Sequence, residues 1–233
     1  GIRDGLTGLE FRRVRFRSHR VLDRQEVRIH HNVLDMAKLT GGALESAMDS
    51  LMSQNAALAQ QVVEGDPQIN TLLRVIESEC LAALALQQPV AADLRDIVAS
   101  MQIASELERI ADHAKDIAKI VLGMDPGDFS GPMDRLASMN DVCVHMLMQV
   151  MDAYQSRDSD LARAAASHDE EVNELDEQAA SSLMMQLMTA ADPTMHATHL
   201  LWIAYHLERT GDRITNIAER IVFMVTAETP ELG

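Results

Sequence analysis

The segment Leu107-Glu108-Arg109-Ile110-Ala111-Asp112, followed by Asp116-Ile117-Ala118, returns one hundred residues later as Leu207-Glu208-Arg209-Thr210-Gly211-Asp212 and Asn216-Ile217-Ala218. Ile103-Ala104 matches Ile203-Ala204 at the same offset, and Asp66-x-x-Ile69-Asn70 matches Asp169-x-x-Val172-Asn173 at an offset of 103. Two matches in one order at nearly one offset mark a duplicated unit, with the three-residue difference absorbed in turns. The chain must therefore adopt a fold that can be built twice and joined.

That unit is helical. Between the Gly and Pro residues, apolar positions recur near the 3.6-residue period. Aromatics are 3% of the chain, and Ala, Leu, Met and Gln, strong helix formers, are abundant. The expected class is all-α: two tandem, similar three-helix bundles of antiparallel, spectrin-repeat-like helices, since short connections make neighbours antiparallel. Gly65-Asp66-Pro67 predicts the end of one helix and the start of another, with Asp66 as N-cap and Pro67 as first helical residue. Gln88-Pro89 and Asp192-Pro193 mark further breaks, and the run of Gly123, Pro126, Gly127, Gly131 and Pro132 is the strongest boundary. Helices are thus expected at about 20–64 (with a weak point near Ser53 to Ala56), 67–87, 91–122, 133–155, 158–166, 169–190 and 194–226. The organisation is a basic leader over 1–20, vector-derived or disordered, a first repeat over 21–123, a linker over 124–132, a second repeat over 133–226 and a tail over 227–233.

Rotating 100° per residue along the last helix of each repeat puts Leu107, Ile110, Ile117 and their counterparts Leu207, Ile214, Ile217 inside. Glu108, Asp112 and Asp116 fall on the flank and the far side, as do Glu208, Asp212, Asn216 and Glu219. Like charges at i and i+4 repel by a few tenths of a kcal/mol. A cation bound by hard oxygen ligands offsets that repulsion. So does a solvated, salt-bridged face, with Arg109 and Arg209 three residues before Asp112 and Asp212, and Lys115 and Lys119 on the first flank. The recurrence of the outward acids while core positions vary, Ile110 against Thr210 and Ala114 against Ile214, weighs toward a site. Asp66 and Asp169 are read as N-caps, or as lenders of an oxygen to the neighbouring face.

The formal net charge is -16, which repels phosphodiester backbones. Residues 1–30 run against it, with eight Arg and four acids. Arg12, Arg13, Arg15 and Arg17 are either a frayed or processed end or a binder of nucleic acid or anionic lipid. Cys80 and Cys143 sit among apolar residues and read as buried thiols in a reducing compartment. No run reaches the length that spans a bilayer, so no membrane insertion is expected. Met146, Met148, Met151, Met184, Met185 and Met188 read as flexible core filler or as an adaptable partner surface. The inward di-iron bundle pattern needs Glu-x-x-His, which is absent from the sequence, and no phosphate loop, nucleophile elbow or dinucleotide fingerprint is present. The residues point to a protein that is not an enzyme.

Gln88-Pro89-Val90-Ala91-Ala92-Asp93-Leu94-Arg95, then Leu107-Glu108-Arg109-Ile110-Ala111-Asp112-His113, resembles the signature of the PhoU family, regulators of phosphate-specific transport in bacteria. Leu207 to Asp212 with Asn216-Ile217-Ala218-Glu219 resembles its second repeat, and Phe223-Met224-Val225-Thr226 its ending. The resemblance covers about residues 25 to 226. It implies two three-helix bundles, usually in a homodimer. It implies surface multinuclear iron or zinc, held by Glu108, Asp112 and Asp116 in one site and by Glu208, Asp212 and Asn216 in the other. Glu219 joins them from the helical wheel, and Asp66 and Asp169 as weaker contributors. Ala111 stands where the family usually has Gly, Asp116 where Asn is common, and Lys119 opposite Glu219 of the second copy, so the first site is expected to differ in metal affinity. The resemblance also implies a cytoplasmic negative regulator, peripheral to the inner membrane. It would couple the ATPase subunit of a phosphate ABC transporter to a PAS-containing sensor histidine kinase. The other readings are a metal-dependent enzyme and a metal-free helical scaffold.

Overall fold

The computed structural model describes residues 4–87, 89–125, 132–189 and 195–233, with side chains from Leu22 onward except at Gln87, Thr189 and Met195. Among the described residues there are seven α-helices and no strand: α1 (Asp4–Met52), α2 (Ala56–Gln87), α3 (Ala91–Leu122), α4 (Met133–Ser156), α5 (Ser159–Ala166), α6 (Asp169–Thr189) and α7 (Met195–Thr226). The side chains of Arg12, Arg13, Arg15 and Arg17, the Gln88 and Asp192-Pro193 breaks, and positions 126–131 of the expected linker lie outside the described residues.

α1, α2 and α3 pack on one another as the first bundle, and α4, α6 and α7 as the second, with α5 against α4 and α7. α1 ends without glycine. The Asn55 N–H bonds to the Ser50 carbonyl at 2.9 Å and the Gln54 N–H to Leu51 at 3.2 Å, with Gln54 left-handed at φ 52°. This bond pair terminates a helix. Asn55 then caps α2, its Oδ1 accepting from the Leu58 N–H at 3.1 Å. The same turn recurs 103 positions on. Arg157 has φ 55°, the Asp158 N–H bonds to Ala153 at 3.0 Å, and Asp158 Oδ1 caps α5 by accepting from Asp160 and Leu161 at 2.9 and 3.0 Å.

Gly65-Asp66-Pro67 does not divide the first repeat as expected: α2 runs through Pro67. An internal proline costs about 3 kcal/mol. Burial outweighs it, because α2 sets Ala59, Val62, Ile69, Ile76, Cys80 and Ala83 against α1 and α3. Asp66 is therefore not an N-cap. In the second repeat the matching stretch does break, between α5 and α6, where the expected 158–166 and 169–190 helices separate. There His168 precedes the helix, its carbonyl accepting from Glu171 and Val172, and Asp169 is the first helical residue rather than the cap.

α3 and α7 lie at the centre and pack on each other. Their buried residues correspond position by position: Ile103 and Ile203, Leu107 and Leu207, Ala114 and Ile214, Ile117 and Ile217. Glu106 pairs with Arg213 at 3.5 Å, and His206 bonds to His113, Nδ1 to Nδ1, at 3.1 Å. Positions 106 and 206 correspond, as do 113 and 213. The two motif helices are therefore antiparallel and related by a pseudo-two-fold axis. A second seam joins α1 to α4, where Tyr154 stacks on His30 at 4.5 Å while its hydroxyl bonds to Ser100 of α3 at 2.7 Å.

Cys80 and Cys143 are free and buried, as expected. Of the methionines read as core filler, Met146 and Met151 are buried, whereas Met148, Met184, Met185 and Met188 are exposed, Met188 by 87%.

Candidate functional site

The same hydrogen bond orients both motif helices. Thr40 Oγ1 of α1 donates to the Leu107 carbonyl at 3.3 Å, and Cys143 Sγ of α4, its counterpart, donates to the Leu207 carbonyl at 3.4 Å. With Leu107 and Leu207 turned into the core, the acids that follow fall on a flank beside α2 or α6. They are half-buried rather than fully outward: Glu108, Asp112, Asp116, Glu208, Asp212, Asn216 and Glu219 all keep partial exposure. The preceding helix of each repeat shelters them.

That helix also lends a carboxylate. Asp66 of α2 and Asp169 of α6 face the motif helices, and each is held by the asparagine one turn on. Asn70 Nδ2 donates to Asp66 Oδ2 at 2.8 Å, and Asn173 Nδ2 to Asp169 Oδ2 at 3.3 Å. The i, i+4 spacing of both pairs is present in the repeated Asp-x-x-x-Asn. Asp176 of α6, which no spacing singles out, adds negative charge beside Glu208.

On the first face every carboxylate but Glu108 has a lysine partner. Lys115 Nζ bonds to Asp112 Oδ1 and lies 3.1 Å from Asp66 Oδ1, and Lys119 Nζ donates to Asp116 Oδ1 at 2.9 Å. Burial pulls Lys115 down, but the neighbouring Asp112 and Asp66 carboxylates outweigh that and hold it above the ordinary lysine value. Burial, then the charge of Asp112, raises Glu108.

The second face is built differently. Thr215 replaces Lys115, Glu219 replaces Lys119, and Gly211 replaces Ala111. A Cβ at Gly211 would meet Asp169 Oδ1 at 2.7 Å, so the missing side chain is what admits that carboxylate. Asp169 is buried, and its Oδ1 has no partner among the described residues. Burial and then Asp212 raise its pKa; the same two causes raise Glu208. Arg209 holds Glu208 Oε2 at 2.7 Å and Asp212 Oδ2 at 3.0 Å. Arg220 pairs with Glu219 Oε2 at 3.3 Å, while the Leu232 N–H of the tail donates to Glu219 Oε1 at 3.0 Å. A cleft of about 360 Å³ opens here, lined by Arg209, Asp212, Asn216 and Glu219 with Glu231 and Gly233 of the tail.

Among the described residues no three His, Cys, Asp or Glu side chains stand together closely enough to hold a metal ion. The second face nevertheless suits a cation in its donor set. It has a buried oxygen without a hydrogen bond among the described residues, carboxylates raised by burial and then by one another's charge, and a partly exposed arginine as the group to be displaced. On the first face the corresponding oxygen, Asp66 Oδ1, also accepts no hydrogen bond among the described residues, but Lys115 Nζ stands 3.1 Å from it and occupies the convergence of Asp66 and Asp112.

Comparison with known proteins agrees with the duplicated architecture. The family model described as the PhoU domain matches twice, over residues 33–121 and 136–221. The phosphate-specific transport system accessory protein PhoU homologue of Zymomonas mobilis is 37% identical over 196 residues, 84% of this chain and 83% of the relative. The homologue of Caulobacter vibrioides is 37% identical over 204 residues, 85% and 88% of the two chains. The crystal structure of the phosphate transport system regulatory protein PhoU from Streptococcus pneumoniae superposes with a TM-score of 0.85 at 28% identity, covering 91% of this chain and all of that one. PhoU from Pseudomonas aeruginosa gives 0.85 at 29% identity, covering 88% and 99%. With one family domain on each bundle and the full length of a solved member superposed, the chain belongs to the PhoU family.

Proposed function

We propose that this chain is a regulatory adaptor of phosphate uptake. It restrains a phosphate ABC transporter when phosphate is plentiful and couples the transporter's ATPase subunit to a PAS-containing sensor histidine kinase. The observation that carries this reading is the double family match, with relatives named as accessory proteins of phosphate-specific transport. No helix among the described residues is long and apolar enough to cross a membrane. From family membership we place it in the cytoplasm, as a homodimer that reaches the transporter from the side. An adaptor needs only binding that differs between two states of its partners, and its helical surfaces supply that without turnover of a substrate.

The second acidic face is proposed to hold iron or zinc. Glu208, Asp212, Asn216 and Glu219 of α7 are the donors, with Asp169 of α6 across the groove. Bound there, the metal would supply fixed positive charge that ties α6 to α7. The chain's own residues set the conditions: Gly211 admits Asp169, and Arg209 must release Glu208 and Asp212.

The adaptor reading is tested by loss and capture. Deleting the chain should switch on phosphate-starvation genes in phosphate-rich medium, and tagged protein should retain the transporter ATPase and the kinase. Unchanged expression together with capture of neither partner sinks it. For the metal, elemental analysis of protein purified without chelator should show iron or zinc that is lost in Glu208→Ala/Asp212→Ala. Equal content in both proteins removes the second face as the site.

A further inference from the structure

We infer that Lys115 is the resident cation of the first acidic face, and that this face takes no metal ion while Lys115 is present. The inference uses the donor set of the proposed metal reading, but it concerns the other repeat and is testable with the second face removed.

The geometry is that of an ion-bridging position filled by the chain itself. Lys115 leaves α3 between Asp112 and Asp116 and crosses the groove to α2. Its ammonium contacts Asp112 Oδ1 on its own helix and stands 3.1 Å from Asp66 Oδ1 on the neighbour. Its side chain is 19% exposed and that of Asp66 is 12%. Such sheltered charges are tolerable only when paired. Asn70 occupies the other oxygen of Asp66 at 2.8 Å, and Oδ1, which accepts no hydrogen bond among the described residues, has the Lys115 ammonium as its counter-charge. A metal ion on the same two carboxylates would sit within about 2.5 Å of each, which places it against the ammonium. Lys119, one turn on and half exposed, pairs with Asp116 Oδ1 on the same helix at 2.9 Å and adds a second positive charge to this face.

The second repeat supplies the contrast within one molecule. At the position of Lys115 it has Thr215, buried and uncharged. At the position of Lys119 it has Glu219, the opposite charge, and at that of Ala111 it has glycine. The backbone beneath is the same, with Leu107 and Leu207 anchored by equivalent bonds. Lysines thus stand on the first face at the two positions that are neutral or acidic on the second. The duplicated site has become an internal ion-pair joint between α2 and α3.

The test is equilibrium dialysis against Zn²⁺ followed by elemental analysis, in Glu208→Ala/Asp212→Ala protein so that only the first face counts. With Lys115 present, uptake should be no more than a tenth of an ion per chain by order of magnitude. Lys115→Thr, which copies the second repeat, should raise it to about one ion per chain and add a Zn²⁺-dependent rise in melting temperature. Lys115→Gln keeps a hydrogen-bonding chain of similar reach and should show the same gain if the threonine variant folds poorly. Uptake in the Lys115 protein that disappears with Asp112→Asn overturns the inference. So does a failure of both folded Lys115 variants to gain Zn²⁺. Wild-type protein that takes up no metal sinks the reading of the second face but agrees with this one, which is then decided by the variants.

Discussion

The two repeats share a skeleton and differ in charge. Gln54-Asn55 and Arg157-Asp158 make the same helix-ending turn and the same N-cap. Thr40 and Cys143 reach equivalent carbonyls, one with a hydroxyl and one with a thiol. Asn70 and Asn173 hold equivalent aspartates. Over that frame, the first motif helix has two lysines among its acids where the second has Thr215 and Glu219. The difference separates the two jobs of a repeated helix. Positions that aim the backbone keep their chemistry in the broad sense of a donor, a cap or an apolar side chain. Positions on the flank set what the face binds, and they have moved furthest.

The largest effects should fall on the shared frame and should be equal in the two copies. Leu107 and Leu207 are fully buried. Leu107→Ala and Leu207→Ala should each cost about 2–5 kcal/mol in chemical denaturation, agreeing within about 1 kcal/mol. A much larger gap would show that one bundle, not the pair, carries the fold.

The charged flank should then separate them. Lys115→Met leaves Asp66 and Asp112 facing each other without their cation and should cost about 1–3 kcal/mol in metal-free buffer. Thr215→Val removes a buried hydroxyl that has no hydrogen-bond partner among the described residues and should be neutral or stabilising by under about 1 kcal/mol. Equal costs in urea melts would erase the distinction between the faces.

The pseudo-symmetric contacts between α3 and α7 should differ in acid. Burial, then His206 and Arg213, hold His113 down to about 4 against the pull of Asp116 and Asp112. Burial likewise lowers His206, against the pull of Asp116 and with the push of Lys119. A histidine whose folded pKa lies below its unfolded value contributes stability that is complete above about pH 6.5 and is lost as pH falls toward 4. We expect this loss to be roughly 1–2 kcal/mol, discounted for partial exposure. The variant His113→Arg/His206→Glu copies the Glu106–Arg213 contact and should lack that part of the acid loss. Parallel stability curves for the two proteins between pH 7 and 4.5 would disprove the assignment.

The smallest effects concern the groove floor. Ala111 is buried, so Ala111→Gly should cost about 1–2 kcal/mol, from helix propensity together with the lost buried methyl. Gly211→Ala gains that propensity but must push Asp169 aside. The net change in stability should stay within about 1 kcal/mol, while Zn²⁺ uptake at the second face falls.

How far the sequence foretells this molecule depends on where each signal resides. The 91–122 helix, the 158–166 and 169–190 pieces and the repeat itself follow from local periodicity and caps. The α1–α2 break is harder to read, because its marks are a single Asn55 cap and a left-handed Gln54 with no glycine. Gly65-Asp66-Pro67 is the stronger local signal, and contacts on both sides of α2 override it. At the site, the acids of α3 and α7 stand out by their spacing. That Asp66 faces Lys115, and that Asp169 lies against Gly211, follows only once the neighbouring helix is in place. The exposure of Met184, Met185 and Met188 is of the same kind, since a methionine suits a core and a surface equally.

The pseudo-two-fold axis between α3 and α7 has a consequence for ancestry and for design. An isologous interface is one patch meeting itself, and the Glu106–Arg213 and His206–His113 contacts are such a patch with its halves edited independently. A single repeat with one sequence at both halves would bring the residue equivalent to Glu106 and His206 on each motif helix against the one equivalent to His113 and Arg213 on its twin. Fusing two such subunits frees each contact to change alone. Separating them again is the reverse operation: residues 21–123 made alone would leave the α7-facing side of α3 uncovered, and that side is already shaped to receive a second copy of itself.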